Sequence, residues 1–330
     1  MKAGVDKCLS LILLFPLLMS MMSCQPSILA NSLEKESGHA ARERETNTMP
    51  DLVTAESVAR AIEAIAPLDS GVPNDELGFL FGDPKTPVTG VACVWLAHPQ
   101  SVRKCIESGT NMIVCHESLW YPEQDSAWYK GPASGQIFSN RALRELLEKN
   151  KLVVYRIHSP WDALPKDGVH DQAVTALELE GLKEIARQKF FAVQELPNPI
   201  TVTDLKHAVE SGWRYPDCRV FGDADKEVRR FAVLIGGFGE NQVHMPQAAI
   251  EMGAEAIIIG EMSEGILLAS LEMGVPVIES LHSISETPGV KRQAALVAER
   301  FPNLPVTFIP SGAHSFPTHC ASRKFTPTDR

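Results

Sequence analysis

Imidazole and carboxylate side chains follow short apolar segments at four places in the sequence. They are His116 with Glu117, His158 with Asp162, Glu261 with Glu264, and His282 with Glu286. If the apolar segments are strands, these groups lie at strand carboxyl ends, where open α/β sheets bind their ligands. A bound cation stabilises carboxylates and imidazoles that are placed so close together. A ligand set of imidazole and carboxylate without thiolate suits Zn, Mn or Fe(II). The sequence therefore predicts a metal site, against the alternative of four unrelated polar strand ends.

The pairs that could do chemistry recur along the chain. The pair His158 and Asp162 returns 124 residues later, and the segment 106–117 returns 144 residues later as 250–261. We interpret this as an internal duplication of one α/β unit, against the alternative of chance similarity. Two symmetry-related carboxylates could bridge two ions, an arrangement that activates water near neutral pH.

Patterns of strand and helix alternate through the chain and would position these residues. Apolar runs of strand type occupy 88–97, 111–115, 152–157, 231–235, 256–259, 275–278 and 306–309. Helical spacing of apolar residues covers 53–65, 141–150, 169–179, 201–211, 245–252, 265–273 and 288–301, the last opened by Thr287 and Pro288. This alternation predicts an α/β fold with largely parallel sheets and repeat units at about 88–162 and 230–286.

Three stretches have a less definite pattern. Residues 120–136 are predicted to form a loop, and the region after 179 is mixed. The turn from Gly236 to Gly239 could cradle an anion or could simply be tight, and a tight turn is favoured because it lacks the third glycine of a dinucleotide fingerprint.

Composition limits the classes of function. The chain has 330 residues, and its 44% hydrophobic content is that of a globular protein. A net charge of −10 without a basic cluster argues against a nucleic-acid partner, whose phosphates require Lys and Arg. Its seven cysteines include no CxxC pair, so neither a disulfide framework nor a thiolate zinc site is predicted.

The N-terminus has the pattern of a targeting segment. Residues 1–24 are predicted to be a lipoprotein-type signal peptide with Cys24 as the lipidated residue, and 25–50 a polar linker. A globular domain at 51–320 and a tail at 321–330 follow. The predicted location is the cell envelope, with membrane contact only through the lipid anchor. The alternative is a cytoplasmic protein that starts at Met49.

Several motifs, taken in order, resemble those of the Nif-three-like dinuclear-metal family, also labelled GTP cyclohydrolase 1 type 2 homologues. They are segments 77–84, 113–117, 158–162, 236–239, 253–261 and 282–286. The resemblance implies two intertwined, pseudo-symmetric α/β halves, a ring-shaped homohexamer and two divalent ions in an internal cavity. By position, the metal ligands would be His116, Glu117, Asp162, His282 and Glu286. Glu117 replaces the second of two consecutive histidines usual in the family, which favours Mn, Fe or Mg relative to Zn.

The resemblance also suggests an activity. We expect a metal-dependent hydrolase in which metal-activated water acts on a nucleotide-like or phosphorylated small molecule, with His158, Glu261 or Glu264 shuttling protons. A non-catalytic protein for metal binding, metal delivery or regulation, built on the same ring, is the second hypothesis. A surface interaction module that needs no metal is the third.

Overall fold

The computed structural model describes residues 52–120 and 134–316. The predicted signal peptide, linker and tail lie outside these residues, as do Cys24 and most of the predicted loop. Within the described residues, no helix combines the length and the apolar character needed to cross a bilayer.

Nine α-helices and eleven strands are found in the described part of the chain. The helices are α1 (Ala55–Ile65), α2 (Pro99–Glu107), α3 (Phe138–Lys149), α4 (Ser159–Asp162), α5 (Val169–Thr175), α6 (Val202–Trp213), α7 (His244–Glu251), α8 (Glu264–Glu272) and α9 (His282–Arg300). The strands are β1 (Gly78–Phe81), β2 (Val91–Val94), β3 (Met112–Cys115), β4 (Val153–Arg156), β5 (Lys183–Arg187), β6 (Phe191–Thr201), β7 (Arg219–Phe221), β8 (Glu227–Phe238), β9 (Ala256–Met262), β10 (Val277–Glu279) and β11 (Val306–Phe308).

The strands form two sheets with parallel centres and antiparallel edges. The first sheet has the order β1-β4-β3-β2-β11, and the second has the order β5-β6-β8-β9-β10-β7. In the first sheet only β1 runs antiparallel to its neighbour. In the second sheet β8, β9 and β10 are parallel, whereas the outer strands β5, β6 and β7 pair in antiparallel fashion. The predicted α/β class is confirmed.

Two halves of the chain repeat one order of elements. The first half is α1-β1-β2-α2-β3-α3-β4, and the second is α6-β7-β8-α7-β9-α8-β10. Each half opens with a helix capped by a threonine side chain, Thr54 or Thr201. In each, a Phe-Gly-Asp turn follows the first strand, and its glycine (Gly82 or Gly222) has a φ near +90°, which favours glycine. The internal duplication predicted from sequence is confirmed, and each repeat begins one helix and one strand earlier than predicted.

The two sheets enclose a shared helical layer. Successive strand residues face opposite sides, so Val114 and Ile258 point into a central core that also contains residues of α1, α5, α6 and α9. Ile113 instead packs beneath α2 and α3, and Ile257 packs beneath α7 and α8. The halves are intertwined, because the chain leaves the second half through α9 and returns to the first sheet as β11, parallel to β2.

Two local predictions were wrong, and one region left unassigned proves to be strand. Helix α9 begins at His282 rather than at Pro288, which lies inside the helix. The mixed region after residue 179 contains β5 and the long strand β6. Pro197 and Pro199 obscure the strand pattern of β6, and they coincide with an irregularity in its pairing between Glu195 and Ile200. The glycine-rich turn is part of β8, which shifts register between Leu234 and Gly237.

Candidate metal centre

Side chains from both halves meet where the central strands end. His116 and Glu117 directly follow β3, and His158 precedes the short helix α4, which Pro160 helps to start and which ends at Asp162. Glu261 lies near the end of β9, and the first two turns of α9 carry His282 and Glu286. Trp161 is fully buried, and its Nε1 donates a hydrogen bond of 3.2 Å to the Gly289 carbonyl. This bond ties α4 to α9, and with them the two halves of the site.

The imidazole of His116 lies at the centre of the cluster and is fully buried. Its Nε2 is 3.2 Å from Asp162 Oδ1 and 3.4 Å from Glu286 Oε2. Glu286 Oε2 also accepts a hydrogen bond of 2.6 Å from Trp95 Nε1. One imidazole therefore joins a carboxylate of the first half to a carboxylate of the second.

The imidazole of His282 contacts three carboxylates. Its Nε2 is 3.1 Å from Glu117 Oε1 and 3.3 Å from Glu286 Oε1. Its Nδ1 is 3.2 Å from Glu261 Oε1. The predicted spacing of four residues does place His282 and Glu286 on one face of a helix, because α9 already begins at His282.

His158 is held on the other side of His116. The two rings pack edge to face with centroids 4.9 Å apart. His158 Nδ1 is 3.0 Å from Asp75 Oδ2, and its Nε2 is 3.8 Å from Asp162 Oδ2. Asp75 in turn accepts hydrogen bonds from Arg156 Nη1 (2.9 Å) and from the backbone N–H of Ser159 (3.0 Å).

The charges of the cluster shift its pKa values. Burial disfavours the charged form of His116, but the neighbouring carboxylates of Asp162 and Glu286 outweigh it and raise the pKa to about 9. Burial likewise opposes the imidazolium of His282, whose pKa is nevertheless well above its ordinary value because of Glu286 and two further carboxylates. Although burial alone would raise it, the pKa of Glu117 lies well below its usual range because His282 hydrogen-bonds it and other imidazoles lie near. In the metal-free protein, protons thus supply the positive charge.

Several buried atoms of the cluster have no hydrogen-bond partner. Among the described residues, six buried side-chain nitrogen or oxygen atoms lack a partner in hydrogen-bond geometry, and four of them are His116 Nδ1, His116 Nε2, Glu117 Oε1 and Asp162 Oδ1. The last three make only the ion-pair contacts given above. Such atoms are costly unless something binds them. Two overlapping groups have donor atoms close enough to share an ion: His116 with His158 and Asp162, and His116 with Glu117 and Glu286. The donor set fits a divalent ion of the Zn, Fe or Mn kind.

Glycines make room for the ligand side chains. A Cβ at Gly236 would lie 2.7 Å from Glu286 Oε1, and one at Gly237 would lie 2.9 Å from His282 Nδ1. At Gly260 a Cβ would lie 2.3 Å from the Gly236 carbonyl oxygen. The predicted tight turn is therefore a close approach of the β8 backbone to the cluster, and the same approach is available to a substrate.

A cavity of about 440 Å³ opens onto the cluster. Its lining includes Glu117, His158, Asp162, His282 and Glu286 of the cluster, together with the apolar side chains of Val72, Phe190, Ile235, Phe238 and Met245. His244 and Gln242 add polar groups to it. A second groove of about 370 Å³, between α7 and α8, contains none of the cluster residues. The first cavity is the candidate substrate site, since it joins apolar surface to convergent polar groups.

The predicted site residue Glu264 and several other polar side chains lie outside the cluster. Glu264 is exposed in the first turn of α8. His98 caps α2, and His314 contacts Ser283 Oγ. The four described cysteines are buried and free, and Cys115 packs in an apolar core.

Sequence reasoning missed Asp75 and Trp95, both of which contact the cluster. Trp95 follows β2 directly, so the rule that selected residues at strand ends could have found it. Asp75 precedes an edge strand and carries no comparable signal.

Comparisons with known proteins agree with this architecture. A family model described as Duf34/NIF3 (NGG1p interacting factor 3) matches residues 53–314. A GTP cyclohydrolase 1 type 2 homolog from Clostridium acetobutylicum is 25% identical over 236 residues, which cover 69% of this chain and 84% of that protein.

Solved structures show the same fold. A Staphylococcus aureus hypothetical protein superposes with a TM-score of 0.65 at 18% identity, covering 81% of this chain and 99% of that one. A Bacillus cereus protein related to NIF3 gives a TM-score of 0.65 at 15% identity, with coverage of 81% and 99%. The resemblance seen in the sequence motifs is confirmed, and the chain belongs to the Duf34/NIF3 family.

Proposed function

We propose that the protein is a metal-dependent hydrolase that acts on a nucleotide-like or phosphorylated small molecule. The observation that carries this proposal is the group of buried, unpaired donor atoms at His116, Glu117 and Asp162, which opens onto a cavity of about 440 Å³. The name of the curated relatives, GTP cyclohydrolase 1 type 2 homolog, supports the reaction class.

The ligands in this proposal are His116, Glu117, Asp162, His282 and Glu286. Bound divalent ions would polarise the substrate and lower the pKa of a water molecule. Other residues of the protein orient these ligands. Trp95 fixes one oxygen of Glu286 by its hydrogen bond, and the glycines of β8 leave space for both the ligands and a substrate.

Glu261 is our candidate proton carrier. Its side chain is 55% exposed, and its Oε1 lies 3.2 Å from His282 Nδ1. The hydrogen bond from His282 keeps the pKa of Glu261 below its usual value, so the carboxylate is ionised near pH 7 and can accept a proton. Glu264 has no contact with the cluster, and we assign it no role.

The test is turnover by the purified protein loaded with Mn, Fe(II) or Zn, against a panel of nucleotides and phosphoesters. We expect hydrolysis of at least one compound, abolished by chelation and reduced at least about 100-fold in His282→Ala and Asp162→Ala. Glu264→Gln is the matched control and should keep wild-type activity. Full metal occupancy without turnover across the panel would instead favour a metal-binding or metal-delivery protein.

A further inference from the structure

The two imidazoles that flank His116 have equivalent surroundings. His282 is 3.2 Å from the carboxylate of Glu261 through Nδ1, and its Nε2 faces the carboxylate four residues later in the chain. His158 is 3.0 Å from the carboxylate of Asp75 through Nδ1, and its Nε2 also faces the carboxylate four residues later. The internal duplication accounts for the carboxylate four residues after each imidazole, whereas the Nδ1 partners Asp75 and Glu261 come from elements that do not correspond in the two halves.

Asp75 gives His158 the orientation of a metal ligand. The Asp75 side chain is only 6% exposed, and it is fixed by Arg156 and by the backbone of Ser159. A carboxylate that accepts the Nδ1–H of an imidazole leaves the Nε2 lone pair free for an ion, and metal-binding histidines commonly have such a partner.

The donor distances agree with this role. His116 Nε2 lies 3.2 Å from Asp162 Oδ1, and His158 Nε2 lies 3.8 Å from Asp162 Oδ2. Two donors that are each about 2.1 Å from one ion are about 3.0 to 3.4 Å apart. The donor atoms of His116, His158 and Asp162 all lie within 4.8 Å of one another, so they could share one ion after small side-chain movements.

We infer that His158 is itself a metal ligand. With His116 and Asp162 it holds one ion in a set of two imidazoles and one carboxylate. The second ion is left to His282, Glu117 and Glu286. This assignment adds a sixth donor to the five of the proposed function, and it rests on the metal centre of that proposal but not on hydrolysis.

The two ions then have chemically different sites. The set at His158 carries one negative charge and is rich in nitrogen, which suits Fe(II) or Zn. The set at His282 carries two carboxylates and is harder, which suits Mn. A mixed supply of metals should therefore give a centre with two different ions.

The test measures metal binding by the full-length protein, independently of catalysis. The wild type should retain about two ions per chain after dialysis against a weak chelator, and His158→Ala should retain about one. Free imidazole should restore the second ion to His158→Ala, because the side chain lines the cavity and its removal leaves space. When both proteins are loaded with Co(II), the wild type should show two components in its visible absorption, and His158→Ala should show only one of them.

Two further variants separate ligation from structural support. Asp75→Asn keeps the His158 ring but weakens its orientation, so we expect metal affinity at one site to fall about 10- to 100-fold with two ions still bound at saturation. If His158→Ala does not fold, His158→Gln takes its place. Thermal unfolding of each variant without metal, compared with the wild type, shows whether the fold is retained.

The outcomes distinguish this inference from the proposed function. Retention of both ions by His158→Ala or His158→Gln at wild-type affinity overturns the inference, even if activity is lost. Loss of one ion that imidazole restores supports it, even if the wild type hydrolyses nothing. A wild type that binds no metal overturns both.

Discussion

His116 is the residue on which the charge balance of the centre depends. It is fully buried between Asp162 and Glu286, and these carboxylates raise its pKa to about 9. In the metal-free protein its proton stabilises the fold below pH 6.5, and this contribution is lost as the pH rises through about 9. In the proposed metal centre, an ion and this proton would compete for the same lone pair.

Metal binding should release protons at neutral pH. Only the neutral imidazole binds an ion, so we expect the apparent affinity to rise about tenfold per pH unit from pH 6.5 to about 9. Calorimetric titration in two buffers of different ionisation enthalpy counts the protons. His207→Gln, which removes an exposed histidine on α6, is the control. It should release the same number of protons on metal binding as the wild type. A heat of binding independent of the buffer at pH 7 would contradict the prediction.

For individual residues, the sequence indicates which side chains lie in the same cluster, but it does not indicate which atoms contact one another. Strand ends and the repeated interval identify eight candidates, of which the structure brings seven together, and Glu264 is the exception. Asp75 lies 83 positions from His158 in the chain. Its role depends on an antiparallel edge strand, whose pairing partner no local pattern specifies.

Among the elements, β8 is the one that shapes the cavity. Its register shift between Leu234 and Gly237 brings the backbone against the side chains of His282 and Glu261. A bulge of this kind bends a strand and redirects its last residues. The sequence shows the glycines, but a turn and a bulge have the same composition.

Gly237→Ala should damage the site without unfolding the protein. The added Cβ would lie 2.8 Å from Glu261 Oε1 and 2.9 Å from His282 Nδ1, which are movable ends of side chains. We expect metal affinity to fall about 10- to 100-fold as His282 is displaced, with little change in the melting temperature. Gly239→Ala is the matched control, since the nearest atom, Asn241 Oδ1, would be 3.3 Å away. Equal affinities in the two variants would contradict the role given to β8.

The start of α9 shows why element boundaries were harder to predict than elements. Thr287 and Pro288 have the pattern of a helix start, because proline is tolerated in a first turn. The helix nevertheless begins at His282. Its first turns are largely buried, and Ser285 Oγ in the first turn accepts a hydrogen bond of 2.9 Å from the backbone N–H of Gly236. Tertiary packing outweighs the local preference there.

For the whole molecule, alternation of strands and helices was enough to predict the class, and motifs recurring at offsets of 124 and 144 residues were enough to predict the duplication. The shared central layer was not predictable, because the sequence does not specify which face of each sheet meets the other. The six-stranded order also depends on β5 and β6, which local patterns did not assign.

The N-terminal segment should control location and not metal binding. The family match begins at residue 53, well beyond the proposed anchor at Cys24. On expression in a bacterium, we expect the full chain in the membrane fraction, and both Cys24→Ala and a chain that starts at Met49 in the soluble fraction. All three should bind the same number of ions. A full-length protein that is soluble with its N-terminus intact would favour Met49 as the true start.

Strand β11 has a consequence for synthesis on the ribosome. It is among the last described elements of the chain, yet it covers β2 in the sheet of the first half. Until residues 306–308 have emerged, the nascent first half presents β2 as an open edge, a surface prone to pairing with other chains. Chains that terminate before residue 306 should therefore aggregate and should not form a stable first half.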